Sequence, residues 1–166
     1  MTVEIRRART KDVRAIRSLV DAYTGDRRLL TKATVTLYES VQEFWVAVDD
    51  RDRVLGCGAL HVMWEDLAEI RTVAVDPACR GRKIGHRIVE RLLDVARELG
   101  IARVFCLTFE TRFFGSFGFT EIDGAPVPHA VYEQLLRSYD EGVAEFLDLE
   151  RVKPNTLGNT RMLLHL

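Results

Sequence analysis

Val73-Ala74-Val75-Asp76-Pro77-Ala78-Cys79-Arg80-Gly81-Arg82-Lys83-Ile84-Gly85-His86 changes its periodicity in mid-stretch. Up to Val75 it reads as the end of an apolar strand. Pro77 cannot donate to a strand ladder and restricts the residue before it, so the strand ends at Asp76. From Ile84 the apolar positions Ile84, Ile88, Leu92, Ala96 and Leu99 recur every three to four residues. That spacing predicts a helix of about four turns whose stripe lies on a sheet, with Gly100 as its stop. Arg103 to Phe109 is apolar again, so strand, helix and strand form a parallel crossover of right-handed sense.

The readings on either side of this unit follow from it. Val3 to Ala8 alternates at period two and predicts a strand; Thr10 then serves as N-cap for a helix carrying Val13, Ile16, Val20 and Tyr23. Leu37 and Val41 predict a second helix from about Lys32. Phe44 to Val48, Val54 to Met63 and Leu67 to Val75 read as an antiparallel meander with polar turns between them. Beyond the crossover, Phe113, Phe114 and Phe117 predict a short helix and Phe119 to Ile122 a short strand. A helix after Pro128 carries Val131, Leu135 and Tyr139, and Thr160 to Leu166 is the last strand. The fold class is α/β (α+β), with helices flanking a central mixed, mostly antiparallel sheet, and residues 1–166 form one domain.

Composition narrows the function. The chain has 166 residues, 47% of them hydrophobic, with 24 Lys and Arg against 25 Asp and Glu. A domain of this length removes roughly 70% of its unfolded surface from water and folds without staples. A net charge of −1 disfavours nucleic acid and anionic membranes as partners, since both are held by a surplus of cations. No apolar run reaches the ~18 residues of a membrane span, and the N-terminus lacks a signal-peptide core, which predicts a cytoplasmic protein. Cys57, Cys79 and Cys106 are odd in number and widely spaced, so neither disulfides nor a zinc site is expected. His61, His86, His129 and His165 lack ligand spacing, and no metal is assigned.

The chemistry concentrates where the strand runs into the helix. Amides at the helix start, the positive end of its dipole, and Arg80, Arg82 and Lys83 make an anion cradle suited to a phosphate-bearing ligand. The spacing is neither that of a P-loop nor that of a dinucleotide fingerprint, so ATP and NAD are disfavoured.

The stretch resembles the pyrophosphate loop of the GNAT superfamily of N-acetyltransferases, Gln/Arg-x-x-Gly-x-Gly/Ala at the start of a long helix. Arg80 and Gly85 match, and Lys83 stands where the first glycine is expected. A lysine keeps its backbone N–H, so cradling at Lys83 is open to it if the local φ is negative. The order of strands and helices follows the superfamily over nearly the whole chain. The resemblance implies acetyl-CoA as co-substrate, bound where the parallel strands Leu67 to Val75 and Arg103 to Phe109 splay apart. Its pantetheine arm would pair with Val73 and Val75 across Ala74, and its pyrophosphate would sit on Arg80, Gly81, Arg82, Lys83, Ile84, Gly85 and His86.

Ala68-Glu69-Ile70-Arg71-Thr72-Val73-Ala74-Val75-Asp76-Pro77, with Phe105-Cys106-Leu107-Thr108 and Phe114 to Phe119, further resembles the acetyltransferase domain of N-acetylglutamate synthases, and above all short, stand-alone amino-acid N-acetyltransferases of arginine biosynthesis. An α-amino group is largely protonated at neutral pH and must lose a proton before it attacks a thioester. Glu69 resembles the family's base for that proton, and the Val73 amide is the expected oxyanion donor. Phe114 occupies the position where many members carry a proton-donating tyrosine. Thr111 resembles the serine of some synthases in that role, and Thr72 their cysteine.

Acceptor carboxylates call for fixed cations. Lys32, Thr160 and Arg161 resemble the synthases' substrate side, and Arg71 follows Glu69 by two residues on the same strand face. The implied activity is transfer of an acetyl group to a small amino acid, L-glutamate before L-glutamine, as a first step of arginine biosynthesis. Two alternatives stay open: acetylation of another amine such as a polyamine, an antibiotic or a protein N-terminus, and a non-catalytic acyl-CoA-binding module. The acceptor's identity, a homodimer and control by arginine are not fixed by the residues.

Overall fold

A computed structural model describes residues 2–24, 33–152 and 158–166. Among these residues a mixed seven-stranded sheet is hydrogen-bonded in the order β1-β2-β3-β4-β5-β7-β6. The strands are β1 (Glu4–Arg7), β2 (Phe44–Val48), β3 (Val54–Trp64), β4 (Leu67–Val75), β5 (Arg103–Thr108), β6 (Thr120–Glu121) and β7 (Thr160–His165). The helices are α1 (Val13–Thr24), α2 (Thr34–Glu39), α3 (Ile84–Leu99), α4 (Thr111–Gly115), α5 (His129–Leu135) and α6 (Glu141–Phe146). The chain divides into two compact units, Met1–His61 with Ile70–Leu99, and Val62–Glu69 with Gly100–Leu166.

In the first unit, β1 pairs antiparallel with β2, and β2 with β3, through registers such as Ile5 opposite Ala47 and Val46 opposite Cys57. One core joins Val13, Ile16 and Val20 of α1 to Leu37, Phe44, Val46, Cys57 and Ala74. Of the stripe expected on α3, Ile84, Ile88, Leu92 and Ala96 are buried, joined by Val89 and Leu93, whereas Leu99 in the last turn is 57% exposed. Gly56 and Gly58 of β3 let that helix lie directly on the backbone. A Cβ at Gly58 would stand 2.8 Å from Ile88 Cγ2 and 3.1 Å from Leu92 Cδ1. Trp45 is flanked by two guanidinium groups, Arg7 at 4.8 Å and Arg91 at 5.1 Å from its ring centre.

The start of α1 differs from expectation. A single 3-10 turn, Thr10–Asp12, precedes the helix, and the N-cap position of that turn falls on Arg9, not Thr10. The Asp12 carboxylate explains the change, since it accepts the Arg9 amide at 2.7 Å and the Arg6 guanidinium at 2.8 and 3.1 Å. The second helix is described from Thr34, and the region from about Lys32 where it was expected to begin lies in part outside the described residues.

In the second unit, β4 opens parallel to β5, with Leu67 opposite Arg103, Ala68 opposite Val104 and Glu69 opposite Phe105. β5 lies antiparallel to β7 from Arg103–His165 to Thr108–Thr160. Met63, Leu67, Phe105, Val143, Phe146 and Leu163 form the core, where Phe105 meets Phe146 edge to face at 5.3 Å. Phe114 packs edge to face on Phe113 and on Phe119, at 5.1 and 5.4 Å. The helix after Pro128 stops at Leu135, and Tyr139 is 99% exposed rather than in register on an apolar face. Asp140 then caps a further helix, its side chain accepting the Val143 amide at 3.0 Å, and α6 was not anticipated from the sequence.

Candidate active site

In the first unit, the carboxylate of Asp76 accepts the Ala78 amide at 2.9 Å and sets a 3-10 turn over Pro77–Cys79. This turn carries the chain off β4 into the exposed stretch Arg80-Gly81-Arg82-Lys83. Gly81 has φ +83° and open space where a Cβ would be. Lys83 has φ +59°, so the negative φ on which cradling at this residue was made conditional is not found. The lysine adopts a left-handed conformation that a glycine would adopt freely, at a strain cost of about 1–2 kcal/mol. Its carbonyl accepts the Arg87 amide at 3.0 Å, so the helical ladder begins there and the amides of Lys83, Ile84 and Gly85 precede it. His86 pairs one turn on with Glu90 at 2.8 Å. A loop of this form, cationic and open at its glycine, offers an anion both side-chain charge and helix-start amides.

Upstream of the loop, β4 is interrupted. Thr72, buried at 7% exposure, has φ +57° inside the strand. The Cys57 thiol donates to the Thr72 carbonyl at 3.4 Å, and the Ala74 amide reaches the same sulfur, so Cys57 bridges the two sides of Val73. Burial pushes the Cys57 thiol up to about 12, which keeps it a protonated donor at neutral pH. Val73 and Val75 are half-buried while Ala74 faces the core. The Tyr23 hydroxyl of α1 donates to the Val75 carbonyl. Neither Cys57 nor Tyr23 stood out in the sequence. Both occupy positions where an apolar residue would satisfy the same period.

In the second unit, Glu69 is 3% exposed on β4 opposite Phe105. Cys106, on β5, is pushed well above the ordinary thiol range by burial and further by the charge of Glu69. Thr111 opens α4 and is exposed, with Glu110 at the N-cap and the Thr108 hydroxyl accepting the Glu110 amide at 2.8 Å. Thr160 begins β7 opposite Thr108. Arg161 donates to the carbonyls of Glu145 at 3.1 Å and Gly124 at 2.9 Å, and also to Phe146, with its guanidinium 5.7 Å from the Phe105 ring centre. Burial lowers its pKa, opposed by Asp148 and Asp123. Arg71 is half-buried on β4, and Lys32 lies outside the described residues. Among the described residues no group of three or more His, Cys, Asp or Glu could hold a metal, and no helix is long and apolar enough to cross a membrane.

The pattern of the Acetyltransferase (GNAT) family matches residues 13–119, and the chain belongs to that family. It is 65% identical to an amino-acid acetyltransferase of Mycobacterium tuberculosis over 162 residues, spanning 96% of this chain and 92% of that protein. A Mycobacterium tuberculosis structure solved in complex with CoA, also 65% identical, superposes with a TM-score of 0.95 over 98% of this chain and 99% of that one. The N-acetylglutamate synthase of Neisseria gonorrhoeae, complexed with coenzyme A and N-acetyl-glutamate, shares the fold at TM-score 0.79. It is 23% identical, and the match covers 100% of this chain and 35% of that one.

Proposed function

We propose that this acetyltransferase transfers the acetyl group of acetyl-CoA to the α-amino group of L-glutamate, with L-glutamine as the alternative acceptor, at the first step of arginine biosynthesis. The observation that carries the reading is Glu69, a carboxylate 3% exposed on the strand whose later residue Thr72 takes φ +57°. A buried carboxylate between the buried Ala68 and Ile70 is positioned to take a proton, directly or through one water. The likeness to amino-acid acetyltransferases supports an amino acid as acceptor.

In this reading Arg80, Gly81, Arg82 and the amides of Lys83, Ile84, Gly85 and His86 hold the pyrophosphate. Val73, Ala74 and Val75 present strand backbone to the pantetheine arm. Glu69 accepts the proton of the ammonium group, and the freed amine attacks the thioester carbonyl. The Val73 amide donates to the oxygen on which negative charge gathers. As the carbon–sulfur bond breaks, the thiolate leaves with the electron pair and takes up the proton that the now cationic nitrogen sheds, passed on by the Thr111 hydroxyl, the proposed donor, which gains one proton as it gives the other. Arg71, Thr72, Thr160, Arg161 and Lys32 are proposed for the acceptor's carboxylates. At Arg161, Nε and Nη2 are already engaged by main-chain carbonyls, so its share falls to the remaining guanidinium edge.

Free-thiol release from acetyl-CoA is the test, run against glutamate, glutamine, other amino acids, polyamines and peptide N-termini. Glu69→Gln should lower kcat with the preferred amino acid about 10²–10⁴-fold, the usual range for a lost general base. Release confined to polyamines or peptides, or unaffected by Glu69→Gln, would overturn the proposal.

A further inference from the structure

We infer that Tyr23 is a positioning residue of the coenzyme site, tying the strand that receives the pantetheine arm to the arginine that receives the pyrophosphate; the inference rests on the reading of the Arg80 loop given above. Two separate contacts meet in this one side chain. Its hydroxyl donates to the Val75 carbonyl, and its ring carries the Arg80 guanidinium at 6.0 Å from the ring centre.

Each contact fixes something that the loop does not fix by itself. Val75 is the last residue of β4, and beyond it the chain is turned away by Asp76 and Pro77. The amide side of that final peptide group is held by the Asp76 N–H donating to the Leu55 carbonyl at 2.8 Å, and the bond from α1 holds its carbonyl side, on which strand-like pairing with an extended ligand depends. Arg80 is exposed and stands directly before Gly81, whose surroundings are open. A long side chain in such a place samples many rotamers, and ordering it on binding costs affinity. An aromatic face at this distance attracts the cation electrostatically and limits that sampling. Tyr23 itself is anchored, being half-buried against the core of the first unit at the end of α1. One rigid ring therefore sets both ends of the stretch from Val75 to Arg80.

The roles of hydroxyl and ring separate by substitution and by donor. Initial rates would be measured with acetyl-CoA and with S-acetylpantetheine, which lacks the pyrophosphate. Tyr23→Phe removes the hydroxyl alone and should raise KM for both donors by a similar factor, about three- to tenfold, as for one lost hydrogen bond. Tyr23→Leu also removes the ring and should add a further two- to fivefold in KM for acetyl-CoA only, as expected for an exposed cation–π contact. Tyr23→Met, unbranched and of similar reach, serves should the leucine variant fail to fold. In an Arg80→Ala background the ring-dependent increment should vanish while the hydroxyl-dependent one persists. All effects should fall on KM more than on kcat.

Equal acetyl-CoA KM values for the phenylalanine and ringless variants, or an increment that survives in Arg80→Ala, would overturn the inference while leaving the loop's role intact. An Arg80→Ala enzyme whose KM for acetyl-CoA is unchanged would overturn the reading of the loop and the inference together.

Discussion

At the scale of single residues, Lys83 shows how position can override preference. Its φ of +59° costs a non-glycine residue about 1–2 kcal/mol, and glycine there would remove the strain. Glycine also gives the unfolded chain more freedom, which takes back about 0.4–1 kcal/mol. Lys83→Gly should therefore raise the melting temperature by about 1–3 °C in calorimetry. A fall would mean that the lysine side chain contributes more than its backbone costs. The sequence placed this residue correctly as the departure from the glycine pattern, yet not its conformation, because φ is imposed by the turn from Asp76 and by the helix that follows. Thr72, too, is β-branched and sits in an apolar strand, so nothing in its type announces a left-handed backbone.

At the scale of elements, periodicity located β2, β4 and α3 at their observed bounds, with Asp49, Asp76-Pro77 and Gly100 as their stops. Where a polar cap restarts a helix, period alone failed. The segment after Leu135 reads as continued helix through Tyr139, but Asp140 and its bond to Val143 start a new one. Packing of α3 on β3 gives a sharper test. Gly58→Ala places a Cβ 2.8 Å from Ile88 and should destabilise by about 1–3 kcal/mol. Gly115→Ala, in α4 with nothing within 4 Å of its Cβ, should be neutral or gain up to about 1 kcal/mol. Chemical denaturation of both variants checks the contrast, and equal effects would show that α3 does not rest on the glycines.

For the whole molecule, the α/β class and the passage from strand to helix between Val75 and Ile84 were readable because they rest on local order. What was not readable depends on partners far apart in sequence, such as Tyr23 with Val75 and Arg161 with Gly124. The Arg6, Asp12 and Asp52 cluster is another case, and it governs behaviour in acid. Burial pushes Asp12 upward, but the Arg6 guanidinium and the Arg9 amide outweigh it, so its pKa lies below the ordinary value. Asp52 is drawn down to about 2 by Lys11 and Arg6. Both folded values are depressed, so the stability they contribute is present above about pH 4 and is lost as pH falls through them. Asp12→Asn leaves the Arg6 guanidinium short of its buried partner and should cost about 3 kcal/mol at pH 7. It should also flatten the decline in melting temperature between about pH 4 and 2. An unchanged slope would assign acid sensitivity elsewhere.

The sequence contains two tryptophans, and each compact unit holds one: Trp45 between its two arginines, Trp64 against the core around Phe105. Single-tryptophan versions made by Trp45→Phe and Trp64→Phe would give each half of the protein its own fluorescent reporter. If the two emission curves in urea coincide, the halves melt as one cooperative body. Midpoints that separate would mean that one half can open while the other stays folded, and would reveal which.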